Sequence, residues 1–133
     1  MNIYYVIGII LVLLLVLSYG IPLITTNNTE SFNDSKKKIV FTAYTADWCP
    51  HCVEFNSTIY GKLVNNFSGN NTVKITKVDC TNDRSGNTKT IGGNQINGFP
   101  SLMINIYKNG KMNEIQYDGN RRLEDIIAYI NNL

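Results

Sequence analysis

Residues 44–55 read Y-T-A-D-W-C-P-H-C-V-E-F, and the fold of the chain can be inferred outward from them. The residues before it, 38–45, have the β-branched and aromatic composition of a strand. After it, apolar residues recur at three- and four-residue spacing as far as Phe67, which predicts a helix that begins at the proline of the stretch. Cys49 and Cys52 are therefore placed where a strand passes into a helix.

That position suits a redox pair. A thiolate is the reactive form of cysteine, and the unpaired N–H groups and dipole at a helix N-terminus favour an anion. The three-residue spacing brings the two sulfurs within bonding distance. The pattern predicts that Cys49 is the exposed nucleophile and that Cys52 is the buried thiol that resolves a mixed disulfide. We expect His51 to stabilise the thiolate, the alternative being an inert helix position.

A C-x-x-C pair is also half of a zinc site. Tetrahedral zinc needs four ligands, and only His51 and Cys80 remain to supply them, while adjacent helical positions point apart. We therefore predict no metal and no cofactor. We expect Cys80 to be a small buried apolar residue, with a disulfide to another chain as the alternative.

The rest of the chain predicts an α/β domain. Strands are expected at residues 73–79, 101–108 and 112–117, a hairpin turn at Asn109-Gly110, a short helix near 88–91 and a closing helix at 123–133. The order β-α-β-(α)-β-β-α indicates a mixed sheet of four or five strands with helices on both faces.

The N-terminal region is apolar, and residues 3–24 carry no charge. A helix of ~20 such residues spans a hydrocarbon core. We predict a single-pass anchor over residues 1–24, a polar linker over 25–37 and the folded domain over 38–133. A cleaved secretory signal is the alternative, although no Lys or Arg precedes the apolar run.

Composition excludes other classes of function. The net charge of +2 is too small to indicate a nucleic-acid partner, and three cysteines are too few for a disulfide scaffold.

Four segments in order resemble the thioredoxin superfamily, and in particular a single domain of the protein disulfide isomerase type. Residues 44–55 resemble its active-site segment, and 77–81, K-V-D-C-T, resemble the end of its second strand. Residues 98–101, G-F-P-S, resemble its G-Y/F-P-T loop, and 117–130 resemble its Y-x-x-x-R segment with the closing helix. The resemblance implies a thioredoxin-like fold with a redox-active Cys49–Cys52 disulfide.

The resemblance also implies roles for single residues. Pro100 is implied to be a cis proline beside the redox pair, in a substrate-binding surface formed with Trp48, Pro50 and Phe99. Arg121 resembles an arginine that approaches the site and lowers the pKa of the buried cysteine, the alternative being a solvated residue that opens a helix.

Two further residues are candidates for tuning the cysteines. Lys77 resembles a buried lysine near Cys52, and a charge at a strand edge is the alternative. Most members carry a buried Asp or Glu six residues before the first active-site cysteine, where this chain has Ala43. That carboxylate shuttles a proton for the buried cysteine, so its absence argues against fast turnover. Asp47 is closer in sequence and is expected to be more exposed.

These observations predict an enzyme that exchanges disulfides with protein thiols. The C-P-H-C pattern resembles that of the bacterial periplasmic oxidant, which favours an oxidase or isomerase over a reductase. A binding or chaperone-like module with little turnover is the alternative, and metal delivery is disfavoured because Pro100 blocks metal in the family. The electron donor or acceptor stays open, and so does the side of the membrane: a lumen or periplasm, the cytosol, or a virion or host membrane for a viral protein.

Overall fold

The structure, a computed structural model, describes residues 2–4, 7–11 and 36–133. The chain divides into two units, residues 1–31 and 32–133. Within the described ranges, no helix combines the length and the apolar character that crossing a membrane requires. Most of the predicted anchor and linker lies outside these ranges.

The larger unit alternates strands and helices in the order that the sequence predicts. Its elements are β1 (Lys38–Thr45), α1 (Pro50–Phe55), a π-helical segment (Asn56–Tyr60), α2 (Gly61–Asn66), β2 (Val73–Asp79), β3 (Ser101–Lys108), β4 (Lys111–Gln116) and α3 (Leu123–Asn131). The helix predicted after the redox pair is thus present, with a π-helical segment between its two α-helical parts.

The four strands form one mixed sheet in the order β2-β1-β3-β4. β1 is parallel to β2 and antiparallel to β3, which in turn is antiparallel to β4. Asn109 and Gly110 both have positive φ, 52° and 71°, as a two-residue type I′ hairpin requires. The predicted turn is confirmed, and the sheet has the smaller of the two predicted strand numbers.

The two faces of the sheet are covered differently. Alternate residues of β1 and β3 pack with the helices in the main core, which contains Ile39, Phe41, Ala43, Phe55, Leu63, Phe67, Leu102, Ile104, Tyr117, Ile126 and Ile130. Tyr44 and Met103 point the other way and pack with residues of the segment that links β2 to β3. The prediction of helices on both faces is wrong for the described domain: its helices share one face, and a loop covers the other.

The structure has no helix near residues 88–91, where the sequence predicts one, and hydrogen bonds to side chains hold this described segment instead. Asp83 accepts from the N–H groups of Asn87, at 3.0 Å, and Thr88. Glu114 on β4 accepts from the N–H of Gly92 at 2.9 Å, and the Tyr44 hydroxyl accepts from that of Ile91 at 3.0 Å. Because distant side chains satisfy these backbone donors, the polar, glycine-rich segment is held on the sheet without a helix.

Candidate active site

The redox pair lies at the start of α1. Cys49 is the N-cap residue, with extended backbone angles (φ −96°, ψ 113°), and Pro50 opens the helix where no N–H is needed. The carbonyl of Cys49 accepts from the N–H groups of Cys52, at 3.0 Å, and Val53, at 3.1 Å. The backbone therefore places one sulfur at the helix N-terminus and the other one turn further along.

Both cysteines are free thiols. Cys49 is the more exposed of the two, as predicted, but both side chains are buried. Cys52 has no exposed surface, whereas Cys49 retains 7%. Cys49 is less exposed than the sequence predicts because Phe99 packs against it. Its Sγ donates a hydrogen bond of 3.4 Å to the carbonyl oxygen of Phe99. In the described part of the chain, Cys49 is therefore the cysteine of the pair that a partner can contact.

Burial dominates the acidity of Cys52. Burial and, to a smaller extent, a hydrogen bond with Cys49 raise the pKa of this thiol to about 12. A hydrogen bond with the backbone of Ala46 and the positive charge of Arg121 act in the opposite direction, but more weakly. At neutral pH Cys52 is thus a protonated thiol held behind Cys49.

The loop before β3 forms the second wall of the site. The Phe99–Pro100 peptide bond is cis, as the resemblance implies, and Pro100 is buried. Nη2 of Arg121 donates to the carbonyl oxygen of Pro100 at 3.2 Å. Arg121 is exposed, but it reaches this loop and its charge acts on the pKa of Cys52; its role in the reaction remains a prediction.

An aromatic pair covers the entrance. Trp48 is 41% exposed and meets Phe99 edge to face, with ring centroids 5.6 Å apart. Its Nε1 donates to the carbonyl oxygen of Thr81 at 2.9 Å, and the guanidinium of Arg84 lies 5.6 Å from its ring centroid. Sequence reasoning missed Arg84, because nothing in a polar loop signals that one of its residues stacks on a tryptophan 36 positions earlier.

The structure corrects the expectation for Lys77. This side chain is exposed, and its Nζ lies 5.1 Å from the ring centroid of Tyr60. The lysine is on β2, an edge strand, from which its long side chain reaches solvent over that ring. Lys77 is therefore the edge charge given as the alternative, not a buried partner of Cys52.

The other polar candidates near the pair are at the surface. Asp47 and His51 are exposed, and neither is among the main influences on the pKa of Cys52. The backbone N–H of Asp47 donates to Thr81 Oγ1 at 3.0 Å, which fixes the turn before Cys49. The roles of both side chains remain predictions.

Ala43 is fully buried in the main core, on the face of β1 that the helices cover. No carboxyl group replaces the one that most superfamily members carry at this position, since the side chain here is a methyl group. In the part of the chain that the structure describes, proton transfer to or from Cys52 therefore lacks its usual internal base.

Cys80 lies apart from the redox pair. It is 3% exposed and packs with Tyr44, Ile96 and Met103, and burial raises its pKa. This environment agrees with the expected small buried residue. Within the described ranges, no three His, Cys, Asp or Glu side chains are close enough together to hold a metal ion.

Comparison with known proteins gives a consistent result. The family model described as Thioredoxin matches residues 21–132. A putative protein disulfide-isomerase of Schizosaccharomyces pombe is 34% identical over 83% of this chain and 20% of its own length. The protein disulfide-isomerase of Saccharomyces cerevisiae is 31% identical over 81% of this chain and 19% of its own.

A solved structure agrees with these relatives. The first thioredoxin domain of mouse protein disulfide-isomerase A4 superposes with a TM-score of 0.51 at 26% identity, over 71% of this chain and 62% of that one. The chain spans about a fifth of the length of the curated relatives it matches.

Proposed function

This chain belongs to the thioredoxin family, and from that premise we propose that it exchanges disulfides with protein cysteines through Cys49 and Cys52. One observation carries the proposal: a slightly exposed thiol at a helix N-terminus has a fully buried thiol one turn behind it. A binding module needs neither sulfur, whereas an exchange enzyme needs both in this order.

The exchange has two steps. In the first, the Cys49 thiolate attacks a client disulfide, forms a mixed disulfide and releases the other client sulfur as a thiolate. In the second, Cys52 loses its proton and attacks the Cys49 sulfur, which releases the remaining client thiolate and leaves a Cys49–Cys52 disulfide. The client gains two electrons and the protein loses two. Run in reverse, the same steps oxidise a client.

Oxidation or isomerisation of the client is favoured over its reduction. The C-P-H-C pattern supports it, and several relatives are named protein disulfide-isomerase. In this proposal His51 stabilises the Cys49 thiolate and so the reduced protein, which makes the oxidised, disulfide form a stronger oxidant. Trp48, Pro50 and Phe99 border the exposed sulfur and contact the client segment.

A binding or chaperone-like module with little turnover is the second candidate, and Ala43 favours it. With no carboxyl group at this position and the pKa of Cys52 at about 12, the second step has no internal base to assist it. The client then leaves the mixed disulfide slowly, and holding it becomes the main outcome.

We also propose that residues 3–24 anchor the domain in a membrane. The uncharged apolar run supports the anchor, and the family match begins only at residue 21. The isomerase names of the relatives favour a lumenal domain. Alkaline extraction of membranes tests the anchor, and protease digestion of intact vesicles tests the side, since a lumenal domain is protected and a cytosolic one is cut.

A two-cysteine peptide tests the enzyme directly. The full chain, first oxidised, is mixed with the reduced peptide, and peptide disulfide formation is followed by mass spectrometry. Catalytic formation over many turnovers in glutathione buffer is expected, with none above background for Cys49→Ser. Failure to cycle beyond one turnover, with Cys49 left in a mixed disulfide with glutathione that Cys52 does not displace, would favour the binding module.

A further inference from the structure

A cavity of about 460 Å³ opens beside the redox site, lined on one side by the loop from Thr90 to Ser101 and on the other by β4. It lies on the sheet face that the loop covers. Phe99 and Pro100 line it, and the same Phe99 accepts the hydrogen bond from the Cys49 sulfur. Phe99 therefore lies between the cavity and the reacting sulfur, and a molecule in the cavity is one residue away from Cys49.

The one acidic side chain in the lining, Glu114, has its acceptor capacity filled. Its Oε1 accepts from Thr90 Oγ1 at 2.5 Å and from Asn94 Nδ2 at 2.8 Å. Its Oε2 accepts from the N–H of Gly92 at 2.9 Å and from Asn105 Nδ2 at 2.8 Å. Two bonds to each oxygen leave this carboxylate holding the loop and offer little to a ligand.

The basic side chain in the lining is Arg121, and it is mostly unused. A guanidinium has five N–H donors, of which one bonds to the carbonyl oxygen of Pro100. In the described part of the chain Arg121 forms no ion pair with an acidic side chain. The free charged donors that the cavity offers a ligand are therefore those of Arg121.

We propose that this cavity binds a carboxylate carried by the thiol or disulfide substrate, and that the guanidinium of Arg121 binds this carboxylate. A planar guanidinium with free donors matches a carboxylate in two-point geometry. The inference rests on the proposed exchange activity and adds a substrate preference to it. The carboxylate comes either from an acidic residue close to the client cysteine or from a small carboxylate-bearing thiol.

Paired substrates test this preference. Two disulfide peptides that differ only in Glu or Gln two residues from the cysteine are exchanged with the full chain, with Arg121→Gln and with Arg121→Lys. We expect the Glu peptide to react about 3- to 5-fold faster with the native chain, the size of one partly exposed charge pair. The ratio should fall to one in Arg121→Gln, persist in part in Arg121→Lys and decrease with salt.

The ratio separates carboxylate binding from any effect of Arg121 on Cys52, because that effect changes the rates of both peptides equally. The small-thiol source is tested by reducing the oxidised protein with 3-mercaptopropionate and with 2-mercaptoethanol, again comparing the native chain with Arg121→Gln. An Arg121-dependent preference confined to the peptides assigns the cavity to clients, and one confined to the thiols assigns it to small thiols. Equal ratios in the native chain and Arg121→Gln for both pairs overturn the inference.

A sulfur-free measurement separates this inference from the proposed function. Serine versions of the two peptides are titrated into the protein, and the Arg121 Nε–H resonance is followed by NMR. A larger shift with the Glu peptide supports the cavity site even if no peptide disulfide is exchanged. Identical shifts with both peptides contradict it even if exchange is fast.

Discussion

The Sγ of Cys49 donates a 3.4 Å hydrogen bond to the carbonyl oxygen of Phe99, the residue on the N-terminal side of the cis peptide bond. Once Cys49 enters a mixed disulfide its S–H proton is gone, and this carbonyl is left without that donor. We expect an N–H of the client segment to take over this hydrogen bond. The nucleophile and the loop beside Pro100 therefore form one surface.

Removing the second thiol should trap the client. In Cys52→Ala nothing attacks the Cys49 sulfur from within, so mixed disulfides with client proteins should accumulate on non-reducing gels. Cys49→Ala, the matched control, should trap none, because the remaining thiol is fully buried. Equal trapping by the two variants would contradict the assignment of the nucleophile.

The second step should be strongly pH-dependent. Burial is the main cause of the raised pKa of Cys52, and we expect it to persist when Cys49 is in a mixed disulfide. With that pKa at about 12, the thiolate fraction, and with it the rate of attack, should rise about tenfold per pH unit between pH 7 and 10. Arg121→Gln removes a charge that lowers this pKa and should slow the step at each pH. Stopped-flow release of a fluorescent client measures it, and a pH-independent rate would show that the thiol is not buried.

A carboxyl group at position 43 should accelerate turnover. Ala43→Glu introduces a proton acceptor beneath the helix that carries Cys52, and we expect the second step at pH 7 to become roughly 10- to 100-fold faster. Burying the group should lower the free energy of unfolding by ~1–3 kcal/mol. Ala43→Gln has nearly the same shape but no titrating group, so it should lose similar stability without gaining rate. Equal rates for the two variants would show that proton transfer is not limiting.

Glu114 should make stability acid-sensitive. Hydrogen bonds from the loop outweigh desolvation and hold the pKa of this carboxyl below its usual 4.5. A lowered folded-state pKa contributes stability that is complete above pH 4.5 and is lost as pH falls through the lower, folded value.

Glu114→Gln should therefore cost ~1–3 kcal/mol at pH 7 and less at pH 3, as measured by urea unfolding. Glu54→Gln, a change at an exposed position, should leave the native pH profile in place. A constant difference between Glu114→Gln and the native chain at both pH values would rule out titration of this group as the cause.

Local signals predicted most of the fold. The strand bounds, the helix after Cys49 and the Asn109-Gly110 turn follow from residue type and spacing, because a period of two or of 3.6 and a positive-φ turn are written in adjacent residues. The order of burial of the two cysteines follows from the same helix.

Features that depend on distant contacts were not predictable. The loop over residues 81–98 needs no helix because Glu114, on a strand later in the chain, accepts its donors. The stacking of Arg84 on Trp48 and the exposure of Lys77 likewise depend on which side chains the fold brings together. The cavity beside Pro100 results from this loop, so it too was outside the reach of sequence patterns.

A redox titration shows whether Cys49 and Cys52 form a reversible disulfide with each other. The protein is equilibrated in glutathione buffers of graded ratio, acid-quenched, and the Cys49–Cys52 peptide is read by mass spectrometry. We expect one two-electron transition that links these two sulfurs, at a potential between about −270 and about −120 mV. A value at or below the lower figure would reverse the proposed direction of electron flow. If the Cys49–Cys52 disulfide is absent at every ratio, or if the disulfide that forms includes Cys80, the assignment of the redox pair is wrong.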